Sequence, residues 1–118
     1  MEVSIAKIEC LNISDFETLH TEFDRVFGFP DFYGRNMNAW IDCLTDLDDP
    51  TTGMCSIHVA AGHTLALELS NAVHLKQNHP ELLEAIIECS AFVNWRRVDV
   101  GEPPVISLCM TDMHVGSH

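Results

Sequence analysis

The spacing of apolar positions changes several times along the chain, and each change predicts a new element. Residues Val3 to Leu11 (VSIAKIECL) alternate Val3, Ile5, and then Ile8 with Cys10 around polar neighbours, the period of a strand. In ISDFETL, Ser14 stands three residues before Glu17, the spacing at which two side chains cap each other's free backbone N–H groups, so a helix is expected to begin there. Phe16, Leu19, Phe23, Val26 and Phe27 continue at helical spacing, and Gly28 with Pro30 supplies the stop. The helical period returns just after Gly34. There Met37, Trp40, Ile41 and Leu44 fall at i, i+3, i+4 and i+7, one narrow apolar stripe. The opposite side is polar: Asn38 and Asp42 are four apart, and Thr45 and Asp46 lie one turn further on. Asp48, Asp49, Pro50 and Gly53 then end the helix.

Residues 54–60 (MCSIHVA) and 64–70 (TLALELS) both alternate, so either they pair as a hairpin or the first leads into the second. The second is the clearer strand because Leu65, Leu67 and Leu69 keep a strict period of two. Ser70 to His79 reads as a connection. Pro80 suits the first turn of a third long helix ending near Asn94, with Leu82, Leu83, Ile86, Cys89 and Val93 inward and Glu81, Glu84 and Glu88 outward. After the Gly101–Pro104 turn, the apolar run Val105 to Met110 predicts a central buried strand. Thr111 to His118 reads as a polar tail. This order predicts one α/β domain over residues 1–118, with helices covering a small, largely parallel sheet.

Charge narrows the function. The chain of 118 residues has 18 Asp and Glu against 6 Lys and Arg, a formal net charge of −12 that repels nucleic acid and attracts basic partners. No apolar run approaches the ~20 residues of a membrane span, and Met1 to Cys10 has no secretion-signal pattern, so a cytoplasmic location without membrane contact is expected. Five scattered cysteines with no CxxC pair argue for free thiols rather than a disulfide framework or a zinc ribbon.

Candidate chemistry is sparse. His58 with His63 and His74 with His79 are isolated spacings, and His114 and His118 flank Gly116 in the tail, so no metal or cofactor is expected. A hydrolase would need Asp42 and Glu88 to converge on a cleft, and neither GxSxG nor a P-loop is present. An enzyme is therefore the least favoured class. Gly34 is followed by acids, which would repel a phosphate. A helix showing carboxylates and amides beside Phe32 and Tyr33 suits a protein surface rich in Lys and Arg, and a solvated helix face is the plain alternative.

The run Phe29-Pro30-Asp31-Phe32-Tyr33-Gly34-Arg35-Asn36, followed by Met37-Asn38-Ala39 and Asp42-Cys43-Leu44-Thr45, resembles the barstar family, intracellular inhibitors of secreted bacterial ribonucleases of the barnase type. The resemblance implies a three-stranded parallel sheet packed by three to four helices, with a hairpin near residues 54–70 as an extra. It also implies that the second helix and the loop before it plug the nuclease's active site, their carboxylates standing where RNA phosphates would sit. Phe32 and Tyr33 would lie on the docking loop, and Asn36 would shape it. Asn38, Ile41 and Asp42 would face the nuclease, Thr45 and Asp46 would extend the contact, and Glu88 would add an acid from the third helix. Asp48 and Asp49 would be rim acids of lesser weight.

Three features depart from the family pattern. Asn38 stands where an acid is usual, Ile41 stands where an aromatic is expected, and Pro50 to Gly62 resembles an insertion. The expected partner is a basic ribonuclease or another cationic toxin, met by a free chain that is monomeric. An acidic interaction module with a different partner stays open.

Overall fold

The computed structural model describes residues 1–112. Its elements in chain order are β1 (Ile5–Glu9), α1 (Phe16–Phe27), α2 (Met37–Thr45), β2 (Leu65–Ser70), α3 (Ala72–Asn78), α4 (Pro80–Asp99) and β3 (Ile106–Met110), with short 3-10 turns at Cys10–Asn12 and Pro50–Thr52. The three strands form one parallel sheet in the order β1-β2-β3. Ala6 pairs with Leu67, which pairs with Leu108, and Ile8 pairs with Leu69, which pairs with Met110. This row of side chains faces the helices, while Ile5, Lys7, Ser107 and Cys109 occupy the open face. The architecture is thus an α/β fold of two layers, a three-stranded parallel sheet with four helices.

The second long apolar run is an edge rather than the centre. β2 is the central strand, and its inward leucines, Leu65, Leu67 and Leu69, are fully buried. Residues 105–110 look continuously apolar only because Ser107 and Cys109 are small; both are exposed on the open face. The hairpin over residues 54–70 does not form. Residues 54–60 instead lead into β2, making one isolated parallel bridge from His58 to Glu2 and a hydrogen bond from the Val59 N–H to the Leu47 carbonyl. Val59 is buried there, with Met54, Cys55 and Ile57 packed against the core.

Two helix boundaries move for local reasons. The N-cap of α1 is Asp15, not Ser14: Asp15 accepts from the Thr18 N–H at 2.8 Å, and the Thr18 hydroxyl takes the Asp15 N–H at 3.0 Å. Both spacings occur in the sequence, and Thr18 rather than Glu17 closes the box. Phe16 consequently lies on the first turn, 44% exposed, whereas Leu19, Phe23 and Phe27 are buried. The helix ends at Gly28 in the left-handed conformation (φ 63°), where a Cβ would also stand 2.6 Å from the Ser56 Cβ. At the other end of the chain, α4 continues past Asn94 to Asp99. Asn94 does not stop the helix because its side chain clamps β3, accepting from the Val105 and Ile106 N–H groups and donating to the Ile106 carbonyl. Of its expected core residues, Leu82, Leu83, Ile86 and Val93 are buried and Cys89 is half-buried.

Glu22 ties α1 to the end of β1. Its 3% exposed carboxylate accepts from the Glu9 N–H, the Asn12 amide and the Arg25 guanidinium. Burial alone pushes this carboxyl up, but those donors outweigh it and hold the pKa below the usual value. A folded pKa below the unfolded one gives stability that is fully present above the ordinary carboxylate value of about 4 and is lost as pH falls below it through the lower folded value. The urea midpoint of the wild-type protein is therefore expected to decline between pH 6 and pH 3, with a shallower decline in Glu22→Gln; identical slopes would contradict this.

The thiols sort by burial. Desolvation pushes Cys10 and Cys55 up to about 12 and Cys43 to about 11, so each stays protonated at neutral pH, whereas Cys109 is exposed on the open face. At pH 8 a disulfide reagent is expected to titrate Cys109 first and to reach Cys10, Cys43 and Cys55 only on unfolding, as counted by released thiolate. Rapid release from all five would contradict the burial.

Candidate docking surface

The loop between α1 and α2 is held from beneath by aromatic packing. Phe27 stacks on Phe29 at 5.8 Å, Phe29 meets Tyr33 at 4.3 Å, and Phe23 packs edge-on against the fully buried Trp40 of α2 at 5.4 Å. The Tyr33 hydroxyl lies 2.6 Å from the His20 Nδ1, and burial pushes the tyrosine's pKa up and the histidine's down. Arg35, at φ 53°, is turned back onto α1, donating to the Glu17 carbonyl and the Thr21 hydroxyl at 2.8 Å each. With both ends anchored, the loop leaves Phe32 76% exposed. A large apolar side chain in water on a fixed loop is a feature of contact surfaces.

Asn36 begins α2. Its side-chain oxygen accepts from the Ala39 N–H at 2.8 Å and its amide donates to the Gly34 carbonyl at 3.2 Å, so it shapes the loop and has little left to offer a partner. Asn38 and Asp42 are exposed on successive turns. Ile41 is half-buried against the core, and the Thr45 hydroxyl is spent on the Ile41 carbonyl at 2.6 Å. Asp46 caps the C-terminus of α2, half-buried, and burial followed by the nearby Asp49 carboxylate raises its pKa. Glu88 is exposed on α4 and shares no hydrogen bond with any of these residues. The exposed members of the predicted set are thus Phe32, Asn36, Asn38, Asp42 and Glu88, with the polar atoms of Asn36 spent on its own loop and helix start, while Tyr33, Ile41, Thr45 and Asp46 are half-buried.

Two arginines of α4, past the helix end expected near Asn94, belong to this region. Arg96 of α4 reaches across to Asp42, Nη1 to Oδ1 at 2.9 Å, so the acid at the centre of the face carries a counter-ion from its own chain. Arg97 is 4% exposed and joins three segments: it donates to the Asp48 carboxylate at 2.8 and 2.9 Å, to the Thr45 carbonyl, and to the Pro103 carbonyl. Arg97 holds the Asp48 carboxyl below its usual pKa. Asp48 is therefore a structural acid, not a rim acid. The available signal was the only adjacent pair of basic residues in the chain, Arg96-Arg97.

The ends of α2 and α4 border a cleft of about 570 Å³ lined by Thr45, Asp46, Asp48 and Asp49 on one side and Arg96, Arg97, Val100 and Glu102 on the other. Among the described residues no three His, Cys, Asp or Glu side chains converge on a point where a metal would bind. The rings of His74 and His79 meet edge-on at 5.7 Å, and the His74 Nε2 lies 3.2 Å from the Ile13 carbonyl. His114 and His118 lie outside the described residues. No helix among the described residues is long and apolar enough to cross a membrane.

A three-stranded parallel sheet packed by four helices, with an anchored aromatic loop leading into an acid-bearing helix, defines a small α/β domain. The chain belongs to the barstar family: a family model described as "Barstar (barnase inhibitor)" matches residues 3–104. Over 46 residues it is also 41% identical to a Bacillus subtilis (strain 168) protein named "Putative ribonuclease inhibitor YrdF", an alignment covering 38% of this chain and 50% of that protein. The chain thus spans about half the length of the curated relative it matches.

Proposed function

We infer that this protein inhibits a basic ribonuclease by seating the loop from Phe29 to Asn36 and the exposed side of α2 over the nuclease's active site. The observation that carries this is the pairing of an exposed Phe32 on a doubly anchored loop with Asp42 exposed on the helix that follows. Asp42 takes the place of a substrate phosphate among the nuclease's cations, Asn38 adds amide hydrogen bonds, and Phe32 contributes desolvated area. Glu88 and Asp49 act mainly by steering at long range. Inhibition is steric and electrostatic, with no bond made or broken and no cofactor. The free chain acts as a monomer inside the cell that makes the nuclease.

Charge steering predicts salt sensitivity. Calorimetric titration of purified basic bacterial ribonucleases, barnase among them, is expected to give at least one 1:1 complex whose affinity falls as ionic strength rises. Tight binding only to a basic protein without nuclease activity would move the role to another cationic toxin. Binding that ignores salt would point to a general interaction module.

A further inference from the structure

Among the described residues, the long helix with an apolar solvent face is α4. Phe92, Trp95 and Val98 are 47%, 59% and 56% exposed at i, i+3 and i+6, and the Phe92 and Trp95 rings touch with centroids 5.7 Å apart. Three exposed apolar side chains on neighbouring turns of a helix this well packed underneath are a surface cost that folding alone does not explain. Their position relates them to the docking face. Helices α2 and α4 pack against each other, and Arg96 of α4 is paired with Asp42 of α2. Phe92 lies one turn before Arg96 on α4, and Trp95 directly precedes it. The aromatic pair therefore borders the α2 face instead of standing apart from it. Exposed acids bracket it on its own helix, Glu88 one turn before Phe92 and Asp99 one turn after Trp95.

We propose that Phe92 and Trp95 form a second, apolar anchor of the docking surface, occupied by the same basic ribonuclease that covers α2; this rests on the inhibitor role inferred above. An aromatic centre with an acidic rim fits a basic protein surface in two ways. The rings lose water against an apolar patch beside the nuclease's cationic site, and a Lys or Arg side chain can lie over a ring while its charge faces Glu88 or Asp99. The anchor also accounts for how a face with a neutral Asn38 and an internally paired Asp42 holds a target: part of the affinity moves from charge to desolvated area. Net charge of −12 disfavours a second copy of this chain as the occupant.

The test is the inhibition constant toward the ribonuclease that the wild-type protein inhibits. The double variant Phe92→Ser, Trp95→Ser is expected to raise it by at least about tenfold while a cooperative melting transition shows that the protein remains folded at the assay temperature. Leu11→Ser, which removes a 59% exposed leucine elsewhere on the surface, is expected to leave it unchanged. The loss from the α4 variant should persist at high salt, whereas the loss from an Asp42 variant should shrink. Inhibition by the double variant equal to wild type would overturn this proposal and leave the inhibitor role standing. No inhibition of any ribonuclease by the wild-type protein would overturn both.

Discussion

Arg97→Ala is expected to lower folding stability by about 3–5 kcal/mol, the usual result of removing one partner from a buried ion pair. The side chains of Arg97 and Asp48 are 5% and 13% exposed, and the substitution would strand the Asp48 carboxylate with only a 3.3 Å contact from the Gly62 N–H. It would also free the Thr45 carbonyl at the end of α2 and the Pro103 carbonyl ahead of β3. One guanidinium thus fixes α2, α4 and the last strand relative to one another, and through them the docking face. Arg96→Ala is the internal control, because its pair with Asp42 is 39% and 59% exposed and is worth about 0–1 kcal/mol. Urea melts of the two variants check the contrast. A loss in Arg97→Ala no larger than in Arg96→Ala would mean that the Arg97 network does not hold the fold.

Asp42→Ala carries the largest expected effect on binding. In the free protein the carboxylate sits in an exposed ion pair, so its removal should leave the melting temperature nearly unchanged. In a complex it would be covered and would face cations of the nuclease. Truncating such a group costs about 2–5 kcal/mol, or roughly 30- to 5,000-fold in Kd. Asp49→Ala should cost far less and act mainly on association, because Asp49 is exposed and caps only the Pro50–Thr52 turn. Asp48 does not belong in this comparison, since its loss would damage the fold first. Dissociation constants for Asp42→Ala and Asp49→Ala, each with a melting curve, decide the point; equal losses would remove Asp42 from the centre of the surface.

What was legible in the sequence was what periodicity and capping encode locally. β1, α1, α2, β2 and the start of α4 follow from apolar spacing, from Gly28 and from Pro80, because each buries one stripe against the same core. α3 was not legible. Its seven residues bury only Ala72 and Leu75, its N-cap Asn71 is left-handed and makes no side-chain cap, and so short a helix depends on tertiary packing rather than on its own pattern. The edge position of β3 was hidden because small residues on the open face read like core residues.

The site divides in the same way. The polar side of α2 with Asn38 and Asp42 was readable from helical phase, whereas the aromatic-glycine run did not separate Phe32, which is exposed, from Tyr33, which packs inward. The Asp42–Arg96 and Asp48–Arg97 pairs were not, since they span 54 and 49 residues and require α4 to continue past Asn94. A residue such as Asp48 looks like a loop acid in the sequence and becomes a structural one only when a distant arginine is folded against it.

In the proposed complex the loop before α2 and α2 itself close a ribonuclease active site. The most direct test of this closure is a titration of RNA-cleaving activity of a purified basic bacterial ribonuclease, at fixed low salt, with the wild-type protein and with Asp42→Ala. The expected result is stoichiometric 1:1 loss of activity with the wild type and a strong shift to higher concentration with the folded variant. Undiminished cleavage across a panel of such nucleases at saturating wild-type protein, or equal inhibition by the folded variant, would contradict it.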